Sequence, residues 1–145
     1  MSTVRVIIHD GHPAAETAVV DNGLGAFNDE AAPLHEVKPM ACFAHAEDGT
    51  VVGGAVGRWW GGCAELQQLW VDATLHRQGL GARLVGAFEE HARSKGCTYV
   101  YVETFSFQAP SFYARLGYVT EYVRRGYPHG IAKHHLGKQL GTERP

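Results

Sequence analysis

The chain has 145 residues, 45% hydrophobic and 19% charged, which suffices for one hydrophobic core and not for two ordinary ones, so a single domain over residues 1–145 is expected. Its net charge of −2 and scattered basic residues, with only Arg124-Arg125 adjacent, exclude nucleic acid as a partner, because backbone binding needs a dense positive stripe. No apolar run approaches the roughly 18 residues of a membrane span, and Val4-Arg5-Val6-Ile7-Ile8 alternates where a secretory leader would be basic and then apolar, so a cytoplasmic protein without a membrane partner is expected.

Val4 to His9 reads as a first strand, stopped by Asp10-Gly11, and Pro13 suits the start of a helix through Ala14 to Val20. Gly23 and Gly25 interrupt that helix, Leu24 and Phe27 suggest a second short turn, and Ala31 to Pro39 reads as a loop. Met40 to Glu47 and Val51 to Trp60 flank Asp48-Gly49, a strong hairpin signal, and Gly61-Gly62 repeats the device before Cys63 to Val71. A three-strand antiparallel meander is expected there. Leu80, Leu84, Phe88 and Ala92 then recur every four residues with Val85 beside them, while Arg83, Glu89, Glu90 and Arg93 take the opposite side, the pattern of a helix that Gly96 ends. Cys97 to Thr104 is almost continuously apolar and reads as a strand buried on both faces, reached by a parallel crossover. Pro110 opens a short helix to Leu116, after which Tyr118 to Arg125 and Ile131 to Leu140 form a closing antiparallel pair. The predicted architecture is α/β, a mixed and mostly antiparallel sheet with one parallel junction and helices on both faces.

Cys42, Cys63 and Cys97 stand far apart with no CxxC spacing and read as buried free thiols; a nucleophilic cysteine is the alternative, and no histidine pairs with one by spacing. His134 and His135 are neighbours on a strand and point to opposite faces, which with His129 makes no metal site.

The stretch from Leu69 to Leu84 carries the main functional signal. It runs from strand to helix through Gly79 and Gly81, and such a turn either exposes N–H groups that hold a phosphate or is a plain connection. It lacks the Gly-Lys-Ser/Thr of a P-loop, and Leu84 stands where a dinucleotide fingerprint needs its third glycine.

His76-Arg77-Gln78-Gly79-Leu80-Gly81 is similar to the Q/R-x-x-G-x-G/A signature of the Gcn5-related N-acetyltransferase family, with His76 in place of Gln or Arg. Ala109-Pro110-Ser111-Phe112-Tyr113-Ala114-Arg115-Leu116-Gly117-Tyr118 resembles the family's A-x-x-F-Y-x-K-x-G-F. Ser106 replaces the Asn that members often carry three residues before the Ala. The resemblance implies the family fold, with the strand ending at Trp70-Val71 splayed from the next so that freed backbone groups dock pantetheine. It also implies acetyl-coenzyme A as co-substrate without a metal, and a coenzyme site of Trp70, Val71, His76, Arg77, Gln78, Gly79, Leu80, Gly81, Ala82, Ser106 and Tyr113.

An amine nucleophile must lose a proton, which for a lysine-like group costs about 4–5 kcal/mol at neutral pH. Glu65, on the strand leading to the turn, sits where several family members place a catalytic glutamate, with Gln67 on its face; otherwise it is a solvent-facing strand residue. Tyr113 matches the residue that many members use as acid to the leaving thiolate, and is otherwise a packed aromatic. Trp59, Trp60, Phe105 and Phe107 either wall an amine pocket or belong to the core. The expected activity is direct acetyl transfer to a small primary amine in a ternary complex. A protein lysine or N-terminal acceptor is the nearer rival, and a non-catalytic acyl-CoA-binding sensor the rival from another class. The family commonly dimerises through its C-terminal strands, so a homodimer is possible for Tyr118 to Leu140.

Overall fold

The alternating segments after residue 37 become strands in a computed structural model, which describes residues 3–141. β1 (Lys38–His45), β2 (Val51–Trp60) and β3 (Cys63–Val71) form the expected meander. Gly49 and Gly61 close its turns at φ of 89° and 57°, a region open to glycine because it has no Cβ. β4 (Tyr99–Phe105) pairs in parallel with β3, β6 (Lys133–Gln139) lies antiparallel to β4, and β5 (Val119–Arg124) closes the edge, giving the order β1-β2-β3-β4-β6-β5.

The helix predicted after the glycine turn runs Leu80–Ser94 and buries Leu84, Val85, Phe88 and Ala92 against β1, β2 and β3. The short helix opened by Pro110 extends to Arg115 and adds Tyr113 to the same core. Two expectations change here. β4 alternates, burying Val100, Val102 and Thr104 while exposing Tyr101 and Glu103, because these helices supply a core only to the first set. Glu89, expected on the solvent side of its helix, is 6% exposed because Tyr118 and Lys138 bond its carboxylate. Cys42 is half-buried and Cys97 buried, whereas Cys63 is exposed at the first position of β3, just after the glycine turn.

A bulge in β3 shapes the centre of the sheet. Val56 pairs with Gln68 and Gly57 with Leu66, leaving Gln67 as the extra residue. Core contacts consequently step from Ala64 and Leu66 to Leu69 and Val71, an odd interval. Gly57 permits the approach: a Cβ there would overlap the Glu65 carbonyl oxygen and lie 2.8 Å from Phe88 Cζ. Gly57→Ala is expected to destabilise by about 2–3 kcal/mol, since the obstructing atom is backbone, and a urea titration measures it.

The described residues up to 36 and those from 37 onward form two compact units. In the first, Val4 to His9 forms no strand, because alternation provides a pattern but not a ladder partner. Its helix, Ala14–Ala31, runs through Gly23 and Gly25 and buries none of its residues. Each glycine weakens a helix by about 1 kcal/mol without removing a hydrogen-bond donor, so neither ends it. A single turn of 3-10 helix, Leu34–Glu36, follows within the expected loop. No described helix is long and apolar enough to cross a membrane.

In chain order the helices are α1 (Ala14–Ala31), α2 (Leu80–Ser94) and α3 (Pro110–Arg115).

Candidate active site

β3 and β4 part company halfway along. Their ladder covers Cys63 to Leu66 against Tyr99 to Val102 and stops, although β3 continues to Val71 and β4 to Phe105. The Gln67 bulge marks the divergence, and the seam beyond it leaves strand backbone without a ladder partner. A cavity of about 520 Å³ occupies the seam, lined among others by Gln67, Gln68, Trp70, Glu103, Thr104 and Tyr113. A second, of about 630 Å³, lies over the glycine turn, and Leu69 and Ala109 line both, so the two are neighbours.

The turn is built from local hydrogen bonds. Asp72 accepts from the Thr74 backbone N–H at 2.9 Å and hydroxyl at 2.7 Å, which hold its carboxyl below the usual carboxylate range. Arg77 and Gly79 then take φ of 66° and 78°, and α2 begins at Leu80. The first intrahelical donor is Arg83, to the Gly79 carbonyl at 3.1 Å, so the N–H groups of Leu80, Gly81 and Ala82 stand at the positive end of the helix without intrahelical acceptors. A Cβ on Gly81 would come within 3.3 Å of Phe112 Cζ, and glycine there keeps the cradle shallow against α3. Arg77 and Arg115 line the same cavity, so backbone donors and two arginines border one space, a set that suits phosphates.

The remaining predicted residues separate. His76 lines the turn cavity, with Nε2 2.9 Å from the Val71 carbonyl. Val71 lines that cavity and Trp70 the seam, whereas exposed Gln78 lines neither. Ser106 is outside both; its hydroxyl accepts from the Ala132 N–H at 3.0 Å and its own N–H donates to the Ala132 carbonyl, closing the β4 end onto the start of β6.

Tyr113 is 5% exposed, and burial pushes its hydroxyl up to about 12, so it is protonated at neutral pH. Its ring stands edge-on to Phe112 and Tyr118, at 5.1 and 5.6 Å between centroids. Glu65 lies where β3 and β4 are still paired, opposite Tyr101, and Arg58 Nε donates to its Oε1 at 2.8 Å. It is not part of the seam lining. Of the four aromatics expected near the acceptor, Trp59 and Trp60 pair with Ala64 and Cys63 at the hairpin end of the sheet, since the register carries them away from the seam. Phe105 stacks on Phe107 at 5.5 Å and, with Glu103, Gln67 and Lys133, lines a side cavity of about 220 Å³.

Sequence reasoning missed Arg115, Glu103, Thr104 and Gln108. Arg115 lies two residues beyond Tyr113 in a recognised motif, and that spacing was the available signal. Gln108 Oε1 accepts from the Phe105 N–H at 2.7 Å and lies 3.3 Å from the Thr104 hydroxyl, contacts no periodicity announces.

A family model described as Acetyltransferase (GNAT) family matches residues 12–118. The chain belongs to the GNAT family. This GNAT enzyme, an acetyl-CoA-dependent N-acetyltransferase, is 41% identical over 112 residues to a blasticidin-S acetyltransferase of Streptomyces morookaense, covering 74% of this chain and 82% of that protein. An acetyltransferase from Bacillus cereus superposes with a TM-score of 0.78 at 27% identity, over 92% of this chain and 97% of that one. An aminoglycoside 6'-N-acetyltransferase complexed with coenzyme A has the same fold, with a TM-score of 0.64 at 19% identity over 74% and 76% of the two chains.

Proposed function

We propose that this GNAT enzyme acetylates a primary amine of a small molecule by direct transfer from acetyl-CoA in a ternary complex. The observation that carries the reading is that Leu69 and Ala109 line both cavities, which sets a phosphate-suited turn next to a seam lined by Tyr113. In this reading Arg77 to Ala82, with Arg115, hold the coenzyme's phosphates. His76 orients the Val71 carbonyl, and the backbone at Trp70 and Val71 accompanies pantetheine into the seam. Tyr113 then lies beside the thioester sulfur.

A small acceptor is favoured by the blasticidin-S acetyltransferase relative and by the small side cavity, of about 220 Å³, that Glu103 lines. The proposal includes one acetyltransferase domain over the whole chain, supported by a family match that begins at residue 12, before the boundary between the two units. It includes a cytoplasmic location and a homodimer, the latter supported by β5, an edge strand that exposes Val119 and Tyr122.

The test follows thiol release from acetyl-CoA over blasticidin S, aminoglycosides, polyamines, amino acids and peptides. Turnover is expected with a small amine and not with peptides. Preference for peptides would move the reading to a protein acceptor, and tight acetyl-CoA binding with no acceptor would move it to a sensor.

A further inference from the structure

We infer that Glu103, held by His135, is the group that takes the proton from the attacking amine. This deepens the acetyl-transfer reading above and rests on it. Three observations converge on Glu103. It lines both the seam and the side cavity, so it stands where the thioester and acceptor compartments join. It projects from β4 on the face opposite Val102 and Thr104, whereas Tyr113 belongs to the core on their side, so the two groups reach the seam from opposite sides of the sheet. Its Oε2 lies 2.8 Å from His135 Nδ1, and the side chain stays 43% exposed.

His135 is in turn fixed by its strand neighbours. It pairs with Glu103 across β4 and β6, and its ring stands edge-on to Tyr122 with centroids 5.8 Å apart. Such a ring donates Nδ1–H to the carboxylate and sets its orientation, a positioning role. Glu65 has the opposite circumstances: it is engaged by Arg58 and lies on the closed part of the ladder. The other charged or titratable groups near Glu103 are Lys133 on β6, Tyr113 on α3 and, further along the sheet face, Tyr101 and Glu65 with Arg58.

In the step, the bound ammonium first gives one proton to the Glu103 carboxylate, which passes it to solvent. The freed amine nitrogen then forms a C–N bond to the acetyl carbon as its second proton passes to the same carboxylate. The C–S bond breaks, its electron pair leaves on sulfur, and the Tyr113 hydroxyl donates a hydrogen bond to that thiolate. Glu103 then releases its proton to solvent. From the ammonium form the products are the N-acetyl amine, coenzyme A thiolate and two protons.

The experiment compares Glu103→Gln, Glu65→Gln, His135→Ala and His135→Asn in the full chain, with blasticidin S and the amine panel as acceptors. Glu103→Gln is expected to lower kcat about 100-fold at neutral pH with acetyl-CoA affinity unchanged, a loss that narrows as solvent deprotonates the amine at higher pH. Glu65→Gln is expected to cost less. His135→Ala should lose about tenfold in kcat with KM for acetyl-CoA unchanged, and His135→Asn, which keeps an N–H donor, should recover most of it. A Glu103→Gln enzyme within about threefold of wild type, or a larger loss in Glu65→Gln, overturns the inference. Silence of the wild type toward every amine would instead count against the functional reading. Glu103 is then judged on the slow hydrolysis of acetyl-CoA by water, which Glu103→Gln must also slow, and equal hydrolysis rates overturn it.

Discussion

Tyr113→Phe is expected to lower kcat about 100-fold while leaving KM for acetyl-CoA and the melting temperature nearly unchanged, the scale observed when one donor to a developing anion is removed. The reasoning begins with burial. Tyr113 is 5% exposed, and desolvation pushes its hydroxyl up to about 12. A coenzyme thiol ionises near 8.5, so complete transfer from tyrosine to thiolate opposes a gap of about 5 kcal/mol. In the proposed reaction the hydroxyl therefore serves as a hydrogen-bond donor that stabilises charge on the sulfur. Phenylalanine keeps the edge-on packing against Phe112 and Tyr118 and removes only that donor.

The same burial gives a stability signature. Tyr113 ionises near 12 in the fold and near 10 when unfolded, roughly the free value. Its contribution is therefore complete below about pH 10 and is lost as pH rises toward 12. Denaturant melts at pH 8 and pH 11 should show a smaller alkaline loss for Tyr113→Phe than for wild type. Full turnover in a folded Tyr113→Phe would leave the residue a packed aromatic.

Glu89→Ala is expected to be the most destabilising of these substitutions, by about 3–5 kcal/mol, or about 10 °C in melting temperature for a chain of this size. Glu89 accepts from the Tyr118 hydroxyl at 2.8 Å and from Lys138 Nζ at 3.0 and 3.1 Å, joining α2 to β6 and to the start of β5. Removing the carboxylate leaves a lysine whose side chain is only 23% exposed without its counter-charge, and a buried tyrosine hydroxyl without its acceptor. Lys138 also lies over the Tyr118 ring at 5.6 Å, so it keeps one favourable contact, and the lower end of the range is expected. Glu89→Leu combined with Lys138→Met should recover most of the stability, because an apolar pair of similar volume replaces the charges. Urea midpoints at constant m measure both. Since Tyr118 braces Tyr113, kcat should fall in the alanine variant and return in the double variant.

Much of the fold was legible because its signals are local. Val51–Trp60 and Cys63–Val71 carry their boundaries in the glycine turns, and α2 begins where Gly79 takes a left-handed φ. The glycine turn before α2 and the short helix that carries Tyr113 were legible as motifs. Glu89 was misplaced because periodicity records which side of a helix a residue occupies and says nothing of a lysine forty-nine positions away that accepts its burial. Val4 to His9 failed for the complementary reason: alternation describes a face and cannot supply a neighbouring strand.

What the amino-acid sequence determined by itself is therefore the succession of elements and the turn chemistry, since dihedral preference and hydrophobic period act over a few residues. Tertiary structure decided which carboxylate reaches the seam. Glu65 and Glu103 are both strand glutamates, alike in isolation. A bulge at Gln67, a ladder that stops at Leu66 and Val102, and the arrival of β6 beside β4 give one of them to Arg58 and the other to the cavity and His135. Pairing register across distant strands sets that outcome, and no local pattern encodes it.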